Sequence, residues 1–479
     1  MLFNSPEYFI FLPIIFILYW FLFNKTPAKQ NILLLLASYI FYSWWSWKFL
    51  ILLILATIVD YLFGFAVASP NKSKAKIFLW IALINNLGIL GLFKYYNFFA
   101  VQFQEGAAII GIHLDPILLQ LALPVGISFY TFHGISYIFD VYRGQRKPVT
   151  NFIEYAVFVS FFPLLIAGPI ERSNHFLPQV QLKRKFNYNQ AVEGCRLILW
   201  GMFKKVVIAD SLASSVDEIF NNYASHNATT LILGAIGFSF QIYGDFSGYT
   251  DIAIGTSKLF GFEILSNFKF PYFSRDVAEF WRRWHLSLTT WFRDYLYIPL
   301  GGSKKGKRIG IQNIFIIFLV SGFWHGAGWN FIIWGGINAC GFLPLLVLNK
   351  NRKFVNTIVA ADRKYPTIKE FLQMALTFSF ISFARIFFRN RNVTDAIGYI
   401  QSIFSNTSNL GEFLLFKNMF YYIVPLILLD WWFRKDERKL RMIESPLLRH
   451  TIYIVIAILI IAIMVLRKGT KINFIYFQF

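Results

Sequence analysis

Long apolar runs separated by short polar segments dominate the pattern of hydrophobic and polar positions along this chain. A helix that crosses a bilayer needs about 20 mostly apolar residues, and most of the runs approach or exceed that length. The runs cover residues 8–23, 32–47, 49–68, 77–100, 117–142, 152–170, 195–208, 230–262, 309–348, 371–388, 413–433 and 450–466. The pattern predicts an all-α polytopic membrane protein with about 10–12 transmembrane helices.

Two runs in the second half are longer than a single spanning helix requires. The runs 230–262 and 309–348 each have room for two shorter helices or a re-entrant piece, and a polar block at 267–307 lies between them. If every run crossed once, the basic clusters between the runs would not all face the cytoplasm, contrary to the positive-inside rule. We therefore expect one transmembrane domain over 1–479, with re-entrant or interfacial helices in a central region at 267–340.

The composition also indicates a membrane protein, and the net charge bears on which molecules the polar loops contact. Of the 479 residues, 56% are hydrophobic and only 15% are charged, against about 25% charged residues in soluble domains. The net charge of +21 would indicate nucleic acid in a soluble protein. In a membrane protein, however, Lys and Arg collect in cytoplasmic loops and contact anionic lipid. We expect membrane lipid, and no nucleic acid, as the partner of these loops.

The sequence offers little for a metal or a thiol site. The two cysteines, Cys195 and Cys340, form no CxxC motif and no disulfide framework. HxxxH spacing is absent among the 7 histidines, so no metal is expected. A cysteine nucleophile is not expected either, because Cys340 would lie about 22 Å from His325 along a continuous helix.

His325 lies within an apolar run, in the sequence GFWHGAGWNF at 322–331. Ionisable side chains at membrane depth are costly, usually face a cavity or a partner, and are functional candidates by default. A neutral imidazole is well suited to take a proton from a hydroxyl near neutral pH. Two interpretations remain open from the residues alone: a general base, or a histidine that is hydrogen-bonded inside a helix bundle.

His285 lies in the charged and aromatic sequence WRRWHLSL at 281–288. If this segment is one helix, its two tryptophans share a face with His285 and Leu288. An amphipathic, aromatic-rich helix of this kind can lie at the membrane interface. Composition alone favours a headgroup-facing anchor over a catalytic role for this histidine.

Two carboxylates, Asp245 and Asp251, lie in the otherwise apolar sequence YGDFSGYTDIAIG at 243–255. Such carboxylates can form an ion site or a proton relay, and they can also pair with nearby cations. We expect pairing. The candidate partners are Arg282, Arg283 and Arg293.

Several long segments of the chain carry a set of motifs in one order. They are FKYYNFF (93–99), LPVGISFYTFHGISYIFDVYRG (123–144), FFPLLIAGPIER (161–172), YGDFSGYTDIAIG (243–255), FWRRWHLSLTTWFRDYLYIPLGG (280–302), GFWHGAGWNFIIWGGINA (322–339), FARIFFR (383–389) and FIYFQF (474–479). Together they resemble the membrane-bound O-acyltransferase (MBOAT) family, in its bacterial, AlgI-like alginate O-acetyltransferase branch. The resemblance extends over nearly the whole chain.

The resemblance implies roles for particular residues. His325 matches the histidine regarded as the family's catalytic residue, and His285 matches the second motif histidine of this branch. A histidine in this place deprotonates an acceptor hydroxyl, which then attacks a thioester carbonyl. The resemblance also implies a central tunnel with supporting motif positions, which are Asp245, Arg283, Asp294, Trp329 and Asn338.

The resemblance further implies the substrates, the partners and the location. The acyl donor is acetyl-CoA, no metal takes part, and the acetyl group moves outward to a cell-envelope polysaccharide or to peptidoglycan. An extracytoplasmic SGNH-type acetyltransferase is the expected partner protein. The implied location is the bacterial cytoplasmic (inner) membrane, with many passes.

Two alternative functions are kept open. The first is D-alanyl transfer to teichoic acid, as in the related DltB-like branch. The second is a non-enzymatic exporter or flippase. The absence of an internal repeat and the histidine in a family motif argue against the exporter.

Overall fold

The computed structural model describes residues 1–166, 168–355, 357–408, 410–436, 443, 445–467 and 475. These residues form helices, turns and irregular segments, and they contain no strand. The predicted motif at 474–479 therefore lies outside the described residues, except for Ile475. The α-helices are α1 (Pro6–Ile17), α2 (Pro27–Ser43), α3 (Trp47–Ala66), α4 (Lys72–Leu90), α5 (Tyr96–Ile109), α6 (Ile127–Tyr142), α7 (Phe152–Ser160), α8 (Phe162–Leu165), α9 (Ser173–Gln181), α10 (Tyr188–Met202), α11 (Asp210–Asn221), α12 (Ala228–Leu259), α13 (Val277–Trp281), α14 (Leu286–Phe292), α15 (Lys307–His325), α16 (Trp329–Val347), α17 (Ile368–Arg389), α18 (Val393–Ser405), α19 (Leu410–Leu415), α20 (Met419–Phe433) and α21 (Pro446–Leu466).

Within the described residues, six helical segments are long and apolar enough to cross a membrane. They are Trp47–Ala66, Lys72–Ile109, Lys307–His325, Trp329–Val347, Ile368–Arg389 and Pro446–Leu466. Two shorter apolar helical segments, Pro6–Leu22 and Met419–Phe433, accompany them. The prediction of an all-α polytopic membrane protein is confirmed, while the total of about 10–12 spans stays a prediction.

The chain divides into two compact units. The first comprises Met1–Cys195 with Ala253–Leu265, and the second comprises Arg196–Ile252 with Ser266–Phe479. Every site residue predicted from the sequence belongs to the second unit. The expectation of one transmembrane domain over the whole chain stays a prediction.

Several buried polar side chains of the first unit are paired with one another. Asn86 donates a hydrogen bond to Asp60 over 2.6 Å. The guanidinium of Arg184 donates to the hydroxyl of Tyr19 at 2.6 Å and to the amide oxygen of Asn31 at 2.7 Å. Because unpaired polar groups are costly away from water, these bonds fix the helices that carry them.

The two long apolar runs of the second half fold differently. The run 309–348 forms a helical hairpin of α15 and α16, as predicted. The run 230–262 forms the single helix α12, which is 32 residues long. The expectation of two shorter helices or a re-entrant piece at 230–262 is therefore wrong.

Lysines neutralise the two carboxylates of α12. Both lysines, Lys204 and Lys205, belong to the π-helical segment Phe203–Ala209. The ammonium group of Lys204 lies 2.7 Å from the Asp251 carboxylate, and that of Lys205 lies 2.7 Å from the Asp245 carboxylate. Pairing of these carboxylates is thus confirmed, but the predicted arginine partners are wrong. Because each buried charge has a counter-ion, α12 continues through its polar positions without a break.

Small residues bring α15 and α16 close together. A Cβ atom on Gly322 would lie 2.2 Å from the carbonyl oxygen of Phe331. A Cβ atom on Gly335 would lie 2.3 Å from the carbonyl oxygen of Phe318. Glycine at these two positions therefore sets the spacing of the hairpin that ends in His325.

Replacing Gly335 with alanine is expected to push the two helices apart. Overpacking of this kind usually lowers the free energy of unfolding by about 1–3 kcal/mol. Gly336→Ala is the matched control, because the nearest atom to a Cβ there is Leu319 Cδ2 at 3.8 Å, an ordinary contact. Thermal melting of the detergent-purified variants compares them, and equal melting temperatures would contradict the close approach of the backbones.

Candidate active site

His325 is the last residue of α15, and its side chain is buried. A short extended segment follows, and the chain turns back into α16 at Trp329. Three aromatic rings surround the imidazole: Trp324 at 4.8 Å between ring centroids, and Trp334 and Phe388 at 5.2 Å each. The hairpin therefore holds the histidine in an aromatic enclosure shielded from bulk water.

A cavity opens beside this imidazole. The lining residues come from α12, α13, α15, α16, α17 and the turn after α13, and they are Ile242, Phe280, Trp281, Trp284, His325, Trp334, Asn338, Ile381, Arg385 and Phe388. The enclosed space has room for about one water molecule. Most of the wall is aromatic or aliphatic, so the few polar groups in it can orient a ligand.

Asn338 is one of these polar groups and is almost fully buried, at 1% exposure. Its amide nitrogen donates a hydrogen bond to the carbonyl oxygen of Trp334 at 2.8 Å. Its side-chain oxygen has no hydrogen-bond partner among the described residues. The same holds for the indole nitrogen of Trp281, which is also buried and also belongs to the cavity wall.

Arg385, on α17, brings a permanent charge to the cavity and is only 4% exposed. Its Nη1 donates a hydrogen bond to the hydroxyl of Tyr272 at 2.5 Å. The guanidinium carbon lies 4.3 Å from the ring centroid of Trp284 and 5.7 Å from that of Phe280. Since arginine stays protonated in proteins, a fixed positive charge borders the same cavity as His325.

His285 precedes α14, and its side chain is 1% exposed. Its ring lies 4.6 Å from the ring of Phe246, edge to face, and 6.3 Å from the ring of Trp324. Burial lowers the pKa of His285 to about 3, so this imidazole is neutral near pH 7. The structure thus places both predicted histidines against one indole, Trp324, but His285 is not part of the cavity wall.

The segment around His285 is not one helix, contrary to the shared face predicted for 281–288. Helix α13 ends at Trp281, and His285 adopts a left-handed backbone conformation with φ of 46°. The break has a clear cause, since the amide of Leu286 donates to the carbonyl oxygen of Asn267 at 3.0 Å. The tryptophans of this segment consequently line the cavity, while His285 packs elsewhere.

The other predicted supporting residues are dispersed. Asp245 pairs with Lys205, Arg283 donates to the Glu279 carboxylate at 2.8 Å, and Asp294 pairs with the neighbouring Arg293 at 2.7 Å. Trp329 is 54% exposed at the start of α16. None of these four residues lines the cavity, and only Asn338 among the supporting positions does so.

Sequence reasoning missed several side chains that the structure places at or near this site. Arg385 and the tryptophans 281 and 284 were not among the predicted site residues. For Arg385 a signal was available, because a cation inside the apolar run 371–388 is a functional candidate by the same rule that selected His325. Among the described residues, no group of three His, Cys, Asp or Glu side chains could hold a metal ion.

Comparison with known proteins assigns this chain to a family. The model of the MBOAT family, the membrane-bound O-acyltransferases, matches residues 39–388. That range includes both motif histidines and every residue of the cavity wall. The match covers far more than half of the chain.

Curated relatives agree with the family model. "Probable alginate O-acetylase AlgI" of Pseudomonas syringae pv. tomato is 41% identical over 399 residues, which are 82% of this chain and 73% of that protein. "Peptidoglycan O-acetyltransferase" of Helicobacter pylori is 36% identical over 435 residues, 84% of this chain and 80% of that protein. "Teichoic acid D-alanyltransferase" of Bacillus subtilis is 31% identical over 281 residues, 56% of this chain and 69% of that protein. The resemblance seen in the motifs is thereby confirmed: the chain belongs to the membrane-bound O-acyltransferase family and is a multi-pass membrane acyltransferase.

Proposed function

We propose that this protein transfers an acetyl group from acetyl-CoA to a hydroxyl acceptor destined for a cell-envelope polysaccharide or peptidoglycan. The observation that carries the proposal is His325, held in an aromatic enclosure at the edge of a small cavity. The names of the alginate and peptidoglycan relatives support the type of reaction and the class of acceptor.

In the proposed mechanism His325 is the general base. A neutral imidazole can take the proton of a hydroxyl and later return one to the leaving thiolate. The enclosed part of the cavity is small, so a short acyl group needs less rearrangement of the aromatic wall beside His325 than a long chain does. Exclusion of water by the same wall protects the thioester from hydrolysis.

The arrangement of α15 and α16 supports a direction of transfer. The ammonium group of Lys307, where α15 begins, donates to the carbonyl oxygen of Val347, where α16 ends. This end of the hairpin carries the basic loop 303–308, which the positive-inside rule assigns to the cytoplasm. His325 is 18 residues further along α15, or about 27 Å away. Donor and acceptor would thus approach from opposite faces.

Segment 277–284 connects the basic end of the hairpin with the cavity. Arg282 donates a hydrogen bond to the carbonyl oxygen of Asn351, just beyond the end of α16, at 2.6 Å. Its neighbour Trp281 packs on Phe318 in the middle of α15 and lines the cavity. Along this segment, an acetyl-CoA thioester entering from the cytoplasm would reach His325, and an extracytoplasmic SGNH-type partner would receive the acetyl group on the other face of the bacterial inner membrane.

His285 acts in this proposal as a positioning residue, through the indole of Trp324, whose ring centroid lies 6.3 Å from that of His285 and 4.8 Å from that of His325. His285→Ala is expected to lower kcat by about tenfold, because small misplacements of a catalytic group are costly. His285→Phe keeps a ring against Phe246 and is expected to retain more activity. CoA release by the purified variants measures both. A loss in His285→Phe as deep as that in His325→Ala would contradict the positioning role.

D-alanyl transfer to teichoic acid is the second candidate, favoured by the similarity to the Bacillus subtilis protein. The deciding experiment offers purified wild-type protein two donors, acetyl-CoA and a D-alanyl carrier-protein thioester, and measures the release of free thiol from each. Release from acetyl-CoA alone supports the acetyltransferase. Release from the carrier protein alone would replace it with the D-alanyl transferase.

A further inference from the structure

We propose that Arg385 binds the carbonyl oxygen of the donor thioester and stabilises the oxyanion that forms when the acceptor hydroxyl attacks. The inference rests on the proposed function and adds a second catalytic residue to it. Arg385 and His325 line one cavity, which has space for about one water molecule. A carbonyl group in this cavity is therefore bordered by both side chains.

The residues that line the cavity give it a positive charge. Among the described residues that line the cavity, Arg385 is the permanent cation, and none is a carboxylate. The remaining wall is mostly aromatic, so the local dielectric is low and a positive charge there acts strongly on nearby developing charge. A negative charge that exists only in the transition state is the best match for such a site.

The guanidinium is also held in place before any substrate arrives. The hydroxyl of Tyr272 accepts its hydrogen bond and in turn donates to the carbonyl oxygen of Ser239 on α12. The rings of Trp284 and Phe280 lie within cation–π distance. Donors fixed in this way need no reorganisation during the reaction, which is the requirement for oxyanion stabilisation.

A separate observation indicates that the cavity receives a polar ligand. The side-chain oxygen of Asn338 and the indole nitrogen of Trp281 are buried and lack hydrogen-bond partners among the described residues. Leaving such groups unpaired is costly. A thioester carbonyl would accept from the indole N–H, and an N–H or O–H of a substrate would donate to the asparagine oxygen, so one bound donor–acceptor pair satisfies both.

The step is balanced without any other reagent. His325 takes the proton of the acceptor hydroxyl, the hydroxyl oxygen bonds to the thioester carbon, and the carbonyl electrons move onto the oxygen that Arg385 binds. The carbonyl then re-forms and the carbon–sulfur bond breaks. The thiolate leaves as CoA and takes the proton from His325, giving an acetyl ester and free CoA.

Arg385→Gln is expected to lower kcat by about 10²–10³-fold, the usual loss on removal of an oxyanion donor. The KM for the acyl donor should stay within about threefold, because the contact strengthens only in the transition state. Arg385→Lys keeps a charge and should lose less. Arg389→Gln is the matched control: it lies one turn further along α17, pairs with Asp217 and does not line the cavity, so its kcat should stay close to that of the wild type.

The kinetics are measured with whichever donor the wild type turns over, acetyl-CoA or the D-alanyl carrier protein. A failure of acetyl-CoA as donor is then seen in the wild type, whereas a failure of this inference is seen only in the variants. An unchanged kcat in Arg385→Gln, or an unchanged kcat with a raised KM, overturns the inference. If Arg385→Gln does not fold, Arg385→Lys and Tyr272→Phe are compared with the wild type instead. An unchanged kcat in both of these variants overturns the inference.

Discussion

His325→Ala is expected to lower the rate of acetyl transfer by about 10²–10⁴-fold, the contribution of a well-placed general base. The variant should still fold, because His325 ends α15 and the glycines that set the hairpin spacing are untouched. Release of CoA from acetyl-CoA, followed with detergent-purified protein, measures the loss.

A matched control for this variant is His226→Ala. His226 belongs to the same unit, is largely buried, packs edge to face on Phe416 and pairs with Glu412, but it is not part of the cavity wall. Its removal therefore takes away a packed imidazole without touching the site, and turnover should remain close to wild type. Equal activity in His325→Ala and His226→Ala would remove His325 from the mechanism.

Lys205→Met is expected to give the largest loss of stability, about 3–5 kcal/mol in the free energy of unfolding. The ammonium group of Lys205 lies 2.7 Å from Asp245 and 2.8 Å from Asp210, and its side chain is 1% exposed. Without it, two buried carboxylates lose their shared cation. Chemical denaturation or thermal melting in detergent measures the effect.

Two further variants test the cause of that loss. Adding Asp245→Asn to Lys205→Met removes one of the stranded charges and should recover part of the stability, since coupled sites are not additive. Arg293→Met breaks the exposed pair with Asp294 and should change stability by no more than about 0.5 kcal/mol. If the double variant is as unstable as Lys205→Met, the Asp245 carboxylate does not depend on this lysine.

The helical, membrane-spanning character of the chain was predictable because hydrophobic length alone decides it. Whether a long apolar run forms one helix or divides into two was not predictable from hydropathy. Residues 309–348 and 230–262 look alike in hydropathy, yet only the first divides, at the glycine-rich turn after His325. Helix α12 stays whole because Lys204 and Lys205, distant in sequence, neutralise its carboxylates. Such pairing depends on tertiary contacts that periodicity does not report.

The part of the candidate site that depends on one unusual residue was predictable from the sequence. The positions of side chains that depend on the backbone conformation were not. His325 stood out as a histidine in an apolar run, and the structure places it beside a cavity with Asn338. The position of His285 could not be derived from a helical face, because Asn267 accepts a hydrogen bond from the backbone of the same segment and interrupts the helix. Arg385 was recognisable as a cation inside the apolar run 371–388, but its place beside His325 depends on tertiary contacts.

The measurement that tests the central claim most directly follows labelled acetyl groups across a membrane. Wild-type protein in proteoliposomes, together with an SGNH-type partner on the face opposite the basic loops, receives acetyl-labelled acetyl-CoA on the basic face. The account predicts base-labile acetyl ester on the partner's face for the wild type and its near absence for His325→Ala. Intact acetyl-CoA with the wild type, or equal ester formation by both proteins, would contradict it.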